Sequence, residues 1–139
     1  MTKVLLVEDF PVMQKFYKDA LERAGYDLDV VSDGSLALEK VAEVTYDVIL
    51  LDMLLPNLNG IEFLEQYTDR PAQTKILVLS DFTEPSRIKR AYELGAAGYL
   101  VKSDNPPSEL VAKLDEVTGR VPGTGPSEPQ QPAETPTEE

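Results

Sequence analysis

Asp47-Val-Ile-Leu-Leu-Asp52-Met-Leu-Leu-Pro56-Asn-Leu-Asn-Gly60 is the stretch on which the fold turns. Residues 48–51 form an unbroken apolar run, short enough for a strand buried on both faces. The run stops at Asp52, and Pro56, Asn57, Asn59 and Gly60 supply turn chemistry directly afterwards. A carboxylate therefore stands where a buried strand emerges into a loop. In open α/β sheets, ligands bind in the crevice outside such strand ends. Taken alone, Asp52 is equally a strand terminator or a cap for the next helix, so the rest of the chain has to decide.

Outward from this strand the same pattern repeats. Residues 3–7, Lys-Val-Leu-Leu-Val, read as a second buried strand that runs into Glu8-Asp9. Phe10 and Pro11 open a helix to about Ala24, with Val12, Phe16, Tyr17 and Leu21 at helical spacing and Gly25 closing it. Residues 28–31 predict a short strand flanked by Asp27 and interrupted by Asp29. Ser32 or Asp33 caps a helix to about Glu43, buried along Leu36, Ala37, Leu38 and Val41. After the central strand come a short helix over 61–67 and a break at Arg70-Pro71. A strand over 75–79 follows and runs into Ser80-Asp81. Thr83 and Pro85 start a helix that reaches Leu94 and is closed by Gly95. Residues 98–101 give a fifth strand ending in Lys102, and Asn105 with Pro106 begins a last helix striped with Leu110, Val111, Leu114 and Val117. Strand and helix alternate five times, which predicts an α/β fold with a doubly wound parallel sheet.

Composition narrows the chemistry. The 139 residues suffice for one domain with a proper core, 1–119. From Arg120 to Glu139 there are five prolines, four glutamates and two apolar residues, which predicts a disordered Pro/Glu-rich tail. No apolar stretch approaches membrane-spanning length and no signal-peptide pattern precedes the first strand. The chain has no Cys, which removes disulfides and thiolate metal sites and points to the cytoplasm. It has no His either, so a His-based triad, a His-ligated zinc and an internal phosphohistidine all fall away. Any metal must be held by oxygen, which favours Mg²⁺ or Ca²⁺. The net charge of −12, of which −9 lies in 1–119, argues against nonspecific nucleic-acid binding.

Four of the five strands end in a residue suited to phosphate chemistry: Asp9 with Glu8, Asp52, Ser80 and Lys102. In a parallel sheet those ends share one edge. Clustered carboxylates raise one another's pKa unless a cation intervenes, and a hard divalent ion is such a cation. Lys102 adds a compact positive charge and Ser80 a hydroxyl, so the set offers a tetrahedral dianion a metal, an ammonium and a hydroxyl. Separately, Lys102 reads as half of a structural ion pair and Ser80 as a helix cap. Jointly, at four strand ends, those plain readings become poor.

The order and spacing of Val4-Leu-Leu-Val-Glu-Asp9, of 47–60 with Pro56 and Gly60, of Ser80 and of Gly95-Ala-Ala-Gly-Tyr-Leu-Val-Lys102 resemble the response-regulator receiver domain. This is the phosphoacceptor half of two-component signalling, and the resemblance runs over 3–118, in the manner of a stand-alone chemotaxis regulator. It implies a flavodoxin-like sheet of strand order 2-1-3-4-5 with five flanking helices. It also implies that Asp52 is the phosphorylated nucleophile, and that Glu8, Asp9, Asp52 and the main-chain carbonyl of Leu54 hold Mg²⁺. Lys102 would pair with the phosphoryl group, Ser80 would bond to it, and Tyr99 would change rotamer as Ser80 moves. The donor would be a histidine kinase or phosphotransfer protein, and the output a protein target met by residues of about 83–118, where Arg87, Lys89 and Arg90 cluster. The chain would be a monomer or a phosphorylation-dependent dimer.

Several positions depart from the family pattern. Ser103 follows Lys102 where the family usually has a proline, and Asp81 follows Ser80 where a small residue is usual. Both leave room for an alternative, a pseudo-receiver that keeps the fold as an interaction module without taking phosphate. Leu54 and Phe82 occupy positions that tune phosphoryl loss in the family, and two apolar groups there predict a long-lived phosphorylated state. An aspartyl-phosphate phosphatase would need a second acid where Leu54 stands. No nucleotide-binding glycine motif follows any strand.

Overall fold

A computed structural model describes residues 2–119; the tail expected beyond Gly119 lies outside them. Five strands alternate with five helices: β1 (Lys3–Val7), α1 (Pro11–Arg23), β2 (Asp27–Val31), α2 (Gly34–Glu43), β3 (Val48–Asp52), α3 (Gly60–Gln66), β4 (Lys75–Ser80), α4 (Pro85–Glu93), β5 (Gly98–Val101) and α5 (Pro107–Thr118). All neighbouring strands are parallel, in the order β2-β1-β3-β4-β5, which is the order the resemblance implies. β3 occupies the centre, and its five residues are all buried, as an uninterrupted apolar strand between two covered faces requires.

Strand alternation divides the core in two. Val4 and Leu6, Val48 and Leu50, Leu77 and Leu79 face α1 and α5, where Tyr17, Leu21, Leu110 and Leu114 meet them. Leu5 and Val7, Ile49 and Leu51, Ile76 and Val78 face the other way, against Ala37, Phe63, Leu64 and Ala91 of α2, α3 and α4. A buried hydrogen bond of 2.6 Å from Tyr26 Oη to Asp115 Oδ1 ties the start of β2 to α5.

Two helical stripes differ from expectation. On α1, Tyr17 and Leu21 are buried, but Val12 and Phe16 are 50% and 53% exposed. The buried line runs 13–17–21, and residues one position before it lie about 100° around the helix. On α2, Ala37 is buried with Leu38 and Val41 packed beside it, whereas Leu36 is 41% exposed for the same reason. Element ends also shift. β4 extends to Ser80, so that hydroxyl belongs to the strand itself. α4 and α5 begin at Pro85 and Pro107, since a proline at the first helical position sacrifices no needed N–H. Asn105, expected to start α5, instead donates its side-chain amide to Val101 O at 2.9 Å and braces the 3₁₀ turn Lys102–Asp104.

Candidate functional site

The alternation that sorts the core also sorts the polar strand ends. Continuing β1 from Val4 and Leu6 brings Glu8 to the α1/α5 face, and continuing β3 from Val48 and Leu50 brings Asp52 there. Lys102 follows Leu100 by two and falls on the same face. Ser80 follows Ile76 and Val78 and so belongs to the opposite face, which Tyr99 shares. The groups converge on a cavity of about 380 Å³ at the carboxyl edge of the sheet, lined by Glu8, Asp9, Phe10, Asp52, Leu54, Ser80, Asp81, Phe82 and Lys102.

Within it, Lys102 Nζ donates to Glu8 Oε1 at 2.8 Å and to Asp52 Oδ2 at 2.9 Å. Glu8 is 1% exposed and Asp52 5%. Two buried carboxylates this close to one ammonium are a compensated pair, and removing the cation would leave them repelling. Burial pushes the Glu8 carboxyl above the usual carboxylate range, with the Asp52 charge adding to the rise and Lys102 opposing it. Burial by itself would lower the Lys102 ammonium, but the bonds to Glu8 and Asp52 outweigh it and hold the group above its ordinary value. The backbone completes the anchoring. Phe10 N–H donates to Glu8 Oε2 at 3.1 Å and Leu54 N–H to Asp52 Oδ1 at 3.2 Å. Gln14 Nε2 donates to the Glu8 carbonyl.

Carboxylate oxygens of Glu8, Asp9 and Asp52 come within 4.8 Å of one another. An all-oxygen set with one exposed and two buried carboxylates suits a hard divalent cation that keeps some of its water, and no soft ligand is at hand. Leu54 brings its exposed side chain to the rim of the cavity.

Ser80 and Tyr99 meet through one residue. Phe82 N–H donates to Ser80 Oγ at 2.9 Å, and Tyr99 Oη donates to Phe82 O at 2.8 Å. The Arg87 guanidinium lies 4.1 Å from the centroid of the Phe82 ring and pairs with Glu84 at 3.2 Å. Tyr99 itself does not line the cavity. That Phe82 would join both switch residues to α4 was not readable from its spacing, because all its partners come from other elements or the backbone. Of the cations expected to form a patch on α4, Arg87 is held by Glu84, and Arg90 pairs with Glu65 at 3.0 Å. Among the described residues, the larger cleft elsewhere gathers no such chemistry. The cleft of about 580 Å³ between α1 and β2 offers Lys15, Lys18 and Asp19 at its exposed edge and no buried charge.

Comparison with known proteins agrees with this geometry. The family model described as the response regulator receiver domain matches residues 4–115. Response regulator ArlR of Staphylococcus saprophyticus is 36% identical over 122 residues, which cover 88% of this chain and 54% of the relative. The chain thus spans about half the length of the curated relatives it matches first. Chemotaxis protein CheY of Thermotoga maritima is 30% identical over 84% of this chain and 97% of its own. Among solved structures, chemotaxis response regulator CheY4 of Vibrio cholerae superposes with a TM-score of 0.76 at 33% identity, covering 84% of this chain and 98% of that one. The receiver domain of Francisella response regulator 1452 gives 0.78 at 28% identity, covering 86% and 98%. A buried lysine-bridged carboxylate pair at the carboxyl edge of a 2-1-3-4-5 sheet, and a family match over nearly all the described residues, lead to one conclusion: this chain belongs to the response regulator receiver domain family.

Proposed function

We propose that Asp52 is a phosphoacceptor. The observation that carries the reading is the buried Lys102 ammonium bonded to both Glu8 and Asp52 where β3 ends. An Asp52 carboxylate oxygen attacks the phosphorus of a donor, and an acyl phosphate bond forms. The donor's P–N or P–O bond breaks, its electron pair leaving with the donor. With no His in the chain, a phosphohistidine donor has to be a partner histidine kinase or phosphotransfer protein. Glu8, Asp9, Asp52 and the Leu54 carbonyl would hold Mg²⁺, which supplies charge neutralisation for the phosphoryl group when bound. Lys102 supplies the fixed positive charge, turning from Glu8 and Asp52 toward a phosphoryl oxygen. Water later attacks phosphorus, which releases inorganic phosphate and restores the carboxylate. Apart from this self-phosphorylation and its reversal, the domain is a signalling module rather than an enzyme.

Ser80 Oγ accepts from the Phe82 N–H, which leaves its own O–H to donate to the phosphoryl group. Tyr99 holds the carbonyl of that same residue, so both switch groups act on one residue. The change would reach a protein-binding surface over about 83–118, on α4, β5 and α5. Among the described residues, Lys89 and Lys113 are its exposed cations outside the ion pairs, since Arg87 and Arg90 are paired. Leu54 and Phe82 at the rim would shield the acyl phosphate from water, giving a half-life longer than that of a Leu54→Ala, Phe82→Ala variant. We read 1–119 as the receiver and 120–139 as a tail.

The test is intact mass after incubation with acetyl phosphate and Mg²⁺. One phosphoryl group should be added, and none to Asp52→Asn or in EDTA. If a phosphorylated histidine kinase labels Asp52 no better, the phosphorylation-independent interaction module replaces this reading. Asp81, a further carboxylate on the cavity wall, is the residue that favours that alternative.

A further inference from the structure

The β3–α3 loop, residues 53–59, carries backbone on which the site depends. Leu54 N–H holds Asp52 Oδ1 at 3.2 Å, and the Leu54 carbonyl is a proposed metal ligand. Leu54 does not fix itself, because its side chain is 64% exposed. What steadies the loop comes from another element. At the start of α2, Asp33 Oδ1 accepts the Leu36 N–H at 2.7 Å and so caps the helix. Its second oxygen, Oδ2, accepts Asn57 Nδ2 at 2.9 Å, 24 residues along the chain. The Leu36 N–H first, and the Asn57 amide with it, hold the Asp33 carboxyl below the usual carboxylate range, so at neutral pH it only accepts. The backbone follows this bond. Asn57 has φ 66°, in the left-handed region that Asn tolerates better than most residues. Leu58 then lies so close to Gly34 that a Cβ there would overlap the Leu58 carbonyl oxygen and stand 2.8 Å from its carbon. Between Asn57 and Leu54, Pro56 has a locked φ and restricts Leu55 before it. Leu58 N–H closes the turn on Pro56 O at 2.6 Å. A segment this stiff passes a displacement of Asn57 on to Leu54 instead of absorbing it.

We propose that Asp33 is a positioning residue for phosphoryl transfer. Through Asn57 it latches the β3–α3 loop, and so sets where Leu54 presents its N–H to Asp52 and its carbonyl to the metal. The role rests on the phosphoacceptor reading of Asp52. Neither Asp33 nor Asn57 lines the cavity, so the latch acts through the backbone and not by touching the reacting groups. One carboxylate serves two elements: Oδ1 starts α2, and Oδ2 holds the loop at the end of β3. A loop left free would have to be ordered each time metal and donor bind, whereas a latched loop is ordered once, on folding.

The experiment compares four full-length proteins: wild type, Asp33→Asn, Asn57→Asp and the double variant. Asp33→Asn keeps a carbonyl to cap α2 but turns an amide NH₂ toward the NH₂ of Asn57, and Asn57→Asp sets carboxylate against carboxylate. Together the two changes restore the bond with donor and acceptor exchanged, at the wild-type net charge. Two quantities are read. One is the rate of phosphorylation by acetyl phosphate with Mg²⁺, and the other is the Mg²⁺ concentration giving half the maximal rise in thermal midpoint with no donor present. Each single variant should slow the rate and raise that concentration about threefold, as the loss of one exposed hydrogen bond implies. The double variant should return both to near their wild-type values. Single variants equal to wild type overturn the inference alone. So do opposite shifts in the two single variants, which assign the pair to charge. A double variant no better than the single ones also overturns it, and leaves Asp33 as a cap for α2. A wild type that accepts no phosphoryl group overturns the reading of Asp52, and this role with it.

Discussion

Tyr46 shows what a single polar tip does in this core. Its ring is fully buried under the α2/α3 layer while its hydroxyl donates to Asp29 Oδ2 at 2.7 Å. Burial, and then the bond and charge of Asp29, push the phenol well above its ordinary value of 10.0. A raised folded value means that the stabilisation is complete below the unfolded value and is lost as pH rises through the folded one. Denaturant midpoints of the wild type should thus fall above pH 10. Tyr46→Phe should cost about 1–2 kcal/mol at neutral pH through the lost bond to a charged group. It should also flatten the alkaline limb, and an unchanged alkaline slope would show that Tyr46 is not the group responsible. Asp29 was legible only as a residue that weakens a strand pattern. Its partner lies 17 residues away on the approach to β3, so the bond exists only once β2 and β3 are both in the sheet.

Joints between elements carry the site. Gly60 opens α3 under an Asn59/Glu62 capping box, directly against the end of β3. A Cβ at Gly60 would stand 2.7 Å from Asp52 O and 2.8 Å from Met53 Cα, both backbone atoms that cannot swing away. Gly60→Ala should therefore destabilise by about 1–3 kcal/mol as overpacking does. Because the displaced atom belongs to Asp52, it should also slow phosphorylation, which intact-mass kinetics would show. The β4–α4 joint is held differently. Arg87 over the Phe82 ring is an exposed cation–π contact worth about 0.5–1 kcal/mol, so Arg87→Ala should change global stability little. Locally it frees the ring of the residue that Ser80 and Tyr99 hold by its backbone N–H and carbonyl. Hydrogen exchange of the Phe82 amide should quicken in Arg87→Ala, while amides of β3 keep wild-type protection. Of these two joints, the sequence showed the glycine and the turn, but not what the glycine touches.

At the scale of the molecule, a −12 chain gathers three of its carboxylates at one sheet edge with one ammonium between them. The uncompensated charge there should make the folded state a better metal ligand than the unfolded chain, in which Asp52 is far from the adjacent Glu8 and Asp9. Mg²⁺ should thus raise the thermal midpoint by mass action, a metal at a hundredfold its dissociation constant contributing about 2.7 kcal/mol. Asp9→Asn should abolish most of that rise and leave the metal-free midpoint near wild type, since Asp9 is exposed and outside the lysine-bridged pair. A midpoint indifferent to Mg²⁺ in the wild type would count against the trio as a metal centre.

By itself the sequence determined the alternation of elements, the buried central strand and the four polar strand ends, because each is written in local periodicity and turn chemistry. A period of two sends alternate residues of each strand to opposite faces, and the observed pairing of β1 with β3 is what puts Glu8 and Asp52 on the same one. Only the tertiary structure decided which helix faces are covered, leaving Phe16 in solvent and Tyr17 in the core. Only it decided that Phe82 joins Ser80, Tyr99 and Arg87, and that Lys102 bridges residues 94 and 50 positions away. Contacts of that kind depend on strand order and helix rotation, which are settled by the packing of the whole chain and leave no trace in any one segment.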